Sequence, residues 1–279
     1  MKTITFALQK GGVGKTSISV ATALELAKKH KVILLDADPQ GNATTWLLGD
    51  EIKYELSDAL NEIQPPLSCI APTSFKNLFV IGTAGLNGTL REFQKNKASS
   101  SPNAILDITE ALEGKFDYCI IDTSPSFDPL NESVFIASDE IITVLQLNEF
   151  SKDGLQIFTE NLKSCIKRHR IPANKAQLNK IVLNCIDNRI RLQAKYKETL
   201  DNLTSFGFTF FLIPIDQAFT KAQMLKTTIF SKETGAIAKQ ATIKEIRELV
   251  NAISLKENPP TPWLQGENRP IKQREKLKT

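Results

Sequence analysis

The chain has 279 residues, of which 41% are hydrophobic and 24% charged, and its formal net charge is +4. Composition of this kind supports a sizeable core in one large α/β domain or two smaller ones. The mild positive charge permits an anionic partner without demanding one, and no apolar run approaches the length of a membrane span. Four cysteines (Cys69, Cys119, Cys165 and Cys185) lie far apart with no C-x-x-C pair. That predicts free, mostly buried thiols in a reducing, cytoplasmic setting. The first apolar run begins within three residues, so no signal peptide is expected.

In chain order, residues 4–8 read as a buried strand, followed by a glycine-rich turn and a helix over 18–29. In that helix Val20, Ala23, Leu24 and Ala27 recur at helical spacing. Residues 31–36 predict a second strand, apolar on both faces as parallel strands are. Short helices over 43–48 and 56–63 precede a strand at Leu78–Ile81. Residues 82–101, with their Gly, Asn and Lys content and the Ser99-Ser100-Ser101-Pro102 cluster, predict a long mobile loop. A helix over 104–112 then leads to a strand over 118–122. Further strands are predicted over 140–145, 180–184 and 208–213, and helices over 152–169, 192–203 and 237–255. Repeated β-then-α units predict an α/β fold: a doubly wound, mostly parallel sheet flanked by helices. Residues 1–255 form one domain on this reading, and 256–279 form a Pro-rich, basic, disordered tail.

Three clusters carry chemistry. Gln9-Lys10-Gly11-Gly12-Val13-Gly14-Lys15-Thr16-Ser17 lies between a strand and a helix, where converging backbone N–H groups and the helix N-terminus cradle phosphate. The phosphate-loop pattern G-x-x-x-x-G-K-[ST], present here in overlapping form with Gln9 at its first glycine, assigns Gly14 to close backbone approach, Lys15 to the β/γ-phosphates and Thr16 to Mg²⁺. Asp36-Ala37-Asp38-Pro39-Gln40-Gly41-Asn42 follows the second strand, and its two carboxylates can approach Mg²⁺ or its waters. The apolar run ending at Asp122 supplies a carboxylate to meet the Mg²⁺ held by Thr16. Asn184 ends another strand, where its amide could pair with an adenine edge, and Pro214-Ile215-Asp216 flank the ring.

At Lys10-Gly11-Gly12-Val13-Gly14-Lys15-Thr16 the sequence resembles the ParA/MinD family of deviant Walker-A ATPases, whose signature is K-G-G-x-G-K-[ST]. The D-x-D-P-Q-G-N string at 36–42 is the family's second hallmark, and the resemblance spans roughly residues 1–255. It implies a P-loop NTPase fold with ATP and Mg²⁺ bound by the loop residues Lys10, Gly11, Gly12, Val13, Gly14, Lys15, Thr16 and Ser17. In the family the first lysine, here Lys10, reaches across a dimer interface to the partner's nucleotide. Asp36 orders its turn and contacts the Mg²⁺ shell through water, Asp38 positions the attacking water, and Asp122 completes the metal site. Family members more often carry two prolines after that aspartate. Ser124 stands at the first of them here, which is expected to loosen the loop that senses the γ-phosphate.

The resemblance further implies an ATP-dependent homodimer, non-specific DNA binding and a centromere-binding, ParB-type activating protein. The activity it implies is a slow, partner-stimulated ATPase of plasmid or chromosome segregation, cytoplasmic and nucleoid-associated when ATP-bound. Candidate DNA contacts are Lys163, Lys167 and Arg170 on one helix and Arg189, Arg191 and Lys195 further on. Arg168, His169 and Lys175 extend the first cluster with no acid between them in sequence. Two other readings stand: the same switch positioning another cargo, and an ATP-sensing regulatory module with little turnover. A membrane-binding C-terminal helix is not expected, because the tail lacks a sustained apolar face.

Overall fold

The computed structural model describes residues 1–49, 52–146, 152–187, 200–201, 203–205, 207–231 and 235–254. Its strands are β1 Lys2–Ala7, β2 Val32–Ala37, β3 Ala71–Pro72, β4 Leu78–Ile81, β5 Tyr118–Thr123, β6 Glu140–Gln146, β7 Gln177–Ile186 and β8 Thr209–Pro214. Among the described residues these form one sheet in the order β3-β4-β2-β5-β1-β6-β7-β8. All neighbours pair parallel except the two-residue β3, which runs antiparallel to β4 at one edge. The predicted α/β architecture is therefore present.

Apolar residues on both sides of each central strand explain why the sheet is covered twice. Val32 and Leu34 of β2 enter one core, with α1 Lys15–Leu26, α7 Lys152–His169 and a C-terminal helix at Gln240–Ser254. Ile33, Leu35 and Ala37 of the same strand enter the other core. That second layer comprises α3 Leu56–Leu60, α4 Leu90–Asn96, α5 Ala104–Ala111 and α6 Pro129–Ala137. Trp46, on α2 Asn42–Leu47, is fully buried and donates from Nε1 to the Thr227 carbonyl at 2.8 Å. Burying side chains of this size contributes roughly 1.5–3 kcal/mol each.

Three regions differ from the sequence expectation. Residues 82–101 are not one long loop: they hold α4 and short 3₁₀ turns at Gly85–Asn87 and Ala98–Ser100. Leu90 and Phe93, one turn apart, bury against α3 and hold α4 in place. Helix α6, absent from the sequence reading, starts at Pro129 beneath an Asp128 cap that accepts from the Leu130 and Asn131 N–H groups. The helix Ala218–Met224 was likewise unanticipated. The predicted helix over 192–203 lies mostly outside the described residues, and the 256–279 tail lies entirely outside them. No helix among the described residues is long and apolar enough to cross a membrane. None of the four cysteines is in a disulfide; Cys69, Cys119 and Cys165 are buried and Cys185 is exposed.

Candidate active site

The glycine-rich turn leaves β1 at its carboxyl end and delivers the chain into α1. Gly14 precedes the helix at φ +96°, in the left-handed region that favours glycine. A Cβ there would also collide with Asn184 Nδ2, so the close approach foreseen for Gly14 is to the protein's own amide. The first N–H groups of α1 have no intrahelical partner and gather at one point, which makes an anion cradle. Lys15, Thr16 and Ser17 form that first turn, with Val13 buried behind it and Gly11 and Gly12 exposed. Lys15 is 6% exposed, and its Nζ donates to the Lys10 carbonyl at 2.8 Å, lying across the loop. Burial lowers its pKa, while the carboxylates of Asp122 and Asp38 act in the opposite direction. Lys10 itself is exposed at the front edge of the loop.

Parallel register places Asp36 of β2 beside Asp122 of β5, and Asp122 beside Phe6 of β1. Ligands of open α/β sheets collect outside such strand ends. Thr16 Oγ1 donates to Asp122 Oδ2 at 2.6 Å, while Asp122 Oδ1 is buried with no hydrogen-bond partner. Burial drives Asp122 up to about 8; the charges of Asp36 and Asp38 add to this and the Thr16 hydrogen bond opposes it. Asp36 is raised to about 6, again chiefly by burial. Its oxygens are engaged by the turn it shapes: Oδ2 accepts Thr44 N at 2.8 Å and Thr44 Oγ1 at 2.7 Å, and Oδ1 accepts Asp38 N at 3.3 Å. Asp38 Oδ1 accepts Gln40 N at 2.9 Å. Burial raises Asp38, with the Gln40 N–H, Lys15 and Arg91 acting against that rise.

A divalent cation fits this donor set. A buried carboxylate oxygen lacking a partner, beside a threonine hydroxyl at the head of the cradle, is an arrangement that a hard, oxygen-seeking ion completes. Thr16 and Asp122 would hold Mg²⁺, and Asp36 fixes the turn that carries Asp38.

Sequence spacing did not reveal the residues that hold these loops. Gln146 Nε2 donates to the Gly12 carbonyl at 3.0 Å, and Asn184 Nδ2 donates to the Val13 carbonyl at 2.9 Å. Thr83 Oγ1 donates to the Asp36 carbonyl at 2.6 Å, and its N–H to Thr44 Oγ1 at 2.9 Å. Gly41 packs so closely that an added Cβ would sit 2.6 Å from the Thr83 carbonyl. Glu55 then ties down the following segment, accepting Ala84 N at 2.9 Å and Thr89 N at 2.7 Å. Helix α4 starts from there, and the Arg91 charge acts on Asp38.

The expectation that Ser124 loosens its loop is not met. Asn131 Nδ2 donates to the Ser124 hydroxyl at 3.1 Å and to the Ser126 carbonyl at 2.7 Å, while Ser126 Oγ donates to Asp128. Side-chain hydrogen bonds tie down here what a second proline would have stiffened.

The base side is built differently. The Asn184 amide N–H lies on the phosphate loop, and Ile215 is half exposed beyond β8. Asp216 accepts from Ala218 N at 3.0 Å, Lys239 N at 2.7 Å and Thr242 Oγ1 at 2.7 Å, so its carboxylate joins two helix starts. Of the basic candidates, Lys163 is half-buried and Lys167 exposed on α7, and Arg170 is exposed just past its end. Arg189, Arg191 and Lys195 lie outside the described residues. Arg168 and His169 pair with Glu132, and Lys175 with Asp139. The acid-free character of that run in sequence therefore does not survive in space.

An AAA domain family model matches residues 1–179. Chromosome partitioning protein ParA of Caulobacter vibrioides is 29% identical over 261 residues, covering 90% of this chain and 94% of the relative. A virulence plasmid ParA family protein of Chlamydia psittaci is 27% identical, covering 91% and 96%. Among solved structures, an ATP complex of a McdA variant from Cyanothece superposes with a TM-score of 0.76 at 20% identity, covering 93% of this chain and 98% of that one. This chain belongs to the ParA/MinD-type family of P-loop ATPases.

Proposed function

We propose that the chain is a partitioning ATPase that binds ATP with Mg²⁺, dimerises face to face, coats DNA without sequence preference and drives plasmid or chromosome segregation. The observation that carries this reading is the convergence of Lys15, the Thr16–Asp122 pair with its partnerless oxygen, and Asp38 at one group of strand ends. Lys15 and the α1 N-terminus bind the phosphates, and the glycine backbone admits them closely. When bound, Mg²⁺ neutralises charge on the β- and γ-phosphates. Asp38, held by the Gln40 N–H, orients water for attack. On this reading Lys10, exposed at the loop's front edge, reaches a second copy's nucleotide. Asn184, Pro214, Ile215 and Asp216 border the space assigned to adenine, and Lys163, Lys167 and Arg170 supply phosphate-backbone contacts.

The pairing of Arg168, His169 and Lys175 with acids thins the basic surface and favours a second reading, in which the same switch positions another cargo. Turnover and dimer mass test the shared core of both. Lys10→Ala is expected to bind ATP but not to dimerise productively, and Asp38→Ala to dimerise with ATP but not to turn it over. An Asp38→Ala protein with normal turnover, or a Lys10→Ala protein that loses ATP binding, contradicts these roles. Stimulation by a centromere-binding protein plus DNA then separates partitioning from other cargoes.

A further inference from the structure

We propose that Glu132, Cys165 and His169 form a binding site for a divalent cation of the zinc class, joining α6 to α7. Cys165 and His169 stand four residues apart and so share one face of α7, and Glu132 reaches them from the first turn of α6. The Cys165 sulfur, a His169 ring nitrogen and a Glu132 oxygen all lie within 4.8 Å of one another. His169 Nε2 and Glu132 Oε2 are 2.8 Å apart. A tetrahedral zinc ion with bonds of about 2.0–2.3 Å spaces its ligands about 3.3–3.8 Å apart, so small side-chain adjustments close the three around one ion.

The ligand chemistry is selective. Thiolate, imidazole and carboxylate together suit zinc, whereas magnesium takes oxygen ligands such as those at Asp122. Cys165 is fully buried, while the Glu132 and His169 side chains are 15% and 20% exposed, so the fourth position opens at the rim where water can fill it. Arg168 supplies the positive charge in this arrangement, its Nη1 donating to the two Glu132 oxygens at 2.7 and 2.9 Å. That side chain is 61% exposed and can turn into water when a metal ion takes its place, at small cost for an exposed pair. On binding, the Cys165 S–H bond breaks, the metal–sulfur bond forms and the proton leaves to solvent. One thiolate and one carboxylate then balance the two charges of the ion.

The test is a Co²⁺ titration of the metal-free full chain in excess Mg²⁺, which occupies the oxygen site. The expected result is one equivalent of Co²⁺ giving a near-ultraviolet sulfur-to-cobalt charge-transfer band that Zn²⁺ displaces. Cys165→Ala should lose the band, Cys185→Ser should keep it, and Arg168→Met should keep or tighten it. Losing even an outer partner of a metal ligand costs about 10–100-fold in affinity, so His169→Gln should weaken binding at least tenfold. Absence of the band in the wild type, or its survival in Cys165→Ala, overturns the assignment. Should Cys165→Ala not fold, zinc X-ray absorption on the wild type decides: one sulfur among nitrogen and oxygen neighbours supports the site, and a shell without sulfur refutes it.

Discussion

The strand ends on the two sides of the phosphate loop solve opposite problems. At the ends of β2 and β5, two carboxylates are buried, and one of them is incompletely hydrogen-bonded: Asp122 Oδ1 has no partner, and both Asp36 and Asp122 are driven above the ordinary carboxylate range by burial. At the ends of β7 and β8, polar groups are satisfied within the chain: Asn184 by the Val13 carbonyl, and Asp216 by three donors. An unpaired buried carboxylate costs stability unless a cation or ligand completes it, whereas a satisfied one rigidifies its surroundings. The first region is built to receive something, and the second is built to hold the first in shape.

The largest effects should fall where the receiving side is broken. Lys15→Ala is expected to weaken ATP binding by at least about a hundredfold, the equivalent of losing about 3 kcal/mol of charge-assisted hydrogen bonding. Near-normal affinity by titration calorimetry would refute the phosphate-loop assignment. Gly14→Ala sharpens the contrast, because it breaks both sides at once. It forces a side chain into the left-handed region and onto the Asn184 amide. A stability loss of about 1–3 kcal/mol in chemical denaturation, with weakened ATP binding, is expected.

The pH dependence of the metal-free protein separates the two regions next. A carboxyl whose folded pKa is raised favours folding only while protonated, so its contribution is complete below the unfolded carboxylate range. That contribution is lost as pH rises through the folded values, about 6 for Asp36 and about 8 for Asp122. The thermal midpoint should therefore fall from about pH 4, the unfolded aspartate value, to about pH 8, and Mg²⁺ affinity should rise over the same interval as the cation displaces the proton. Asp122→Asn should flatten both trends. A wild-type midpoint that does not change over this interval would mean the carboxylates are not buried together.

On the satisfied side, the sign of the outcome differs. Asp216→Ala strands two backbone donors and the Thr242 hydroxyl, so a loss of about 1–3 kcal/mol is expected. ATP affinity of the folded fraction should stay close to wild type. An affinity loss without a stability loss would make Asp216 a base contact and erase the distinction. The smallest effect should come from Arg91→Ala. An exposed cation acting on Asp38 is worth less than about 1 kcal/mol, so turnover should change less than about fivefold. The shift should lie in the pH profile, toward a higher pKa for Asp38.

What could be read in advance follows the same division. Phosphate chemistry demands local spacing, so Gly11 to Ser17 stood out as a candidate phosphate loop from residue types, while the resemblance to a known family singled out Lys10 and Asp36 to Asn42. Buried strands such as Leu78–Ile81 and the long amphipathic α7 announced themselves by period. Helix α4 did not, because only Leu90 and Phe93 mark its buried face within a polar, glycine-bearing run. Helix α6 hid behind a serine- and proline-rich turn, although Asp128 followed by Pro129 was a readable start. The Gln146, Asn184 and Arg168 contacts join residues 134, 171 and 36 positions apart, and no local pattern encodes such pairs.

The most direct test of the account is equilibrium binding to an unrelated DNA duplex with ATP, with ADP and with a non-hydrolysable analogue, across a salt series. Each phosphate neutralised adds about 0.9 to the slope of log affinity against log salt, and a dimer presents twice the footprint of a monomer. Binding with ATP and the analogue, steeply salt-dependent and lost in ADP, is the predicted result. Replacing Lys163, Lys167 and Arg170 together by Glu should weaken it on any sequence without changing ATP affinity. Affinity that is identical in ADP, insensitive to salt or specific for one sequence would contradict the account.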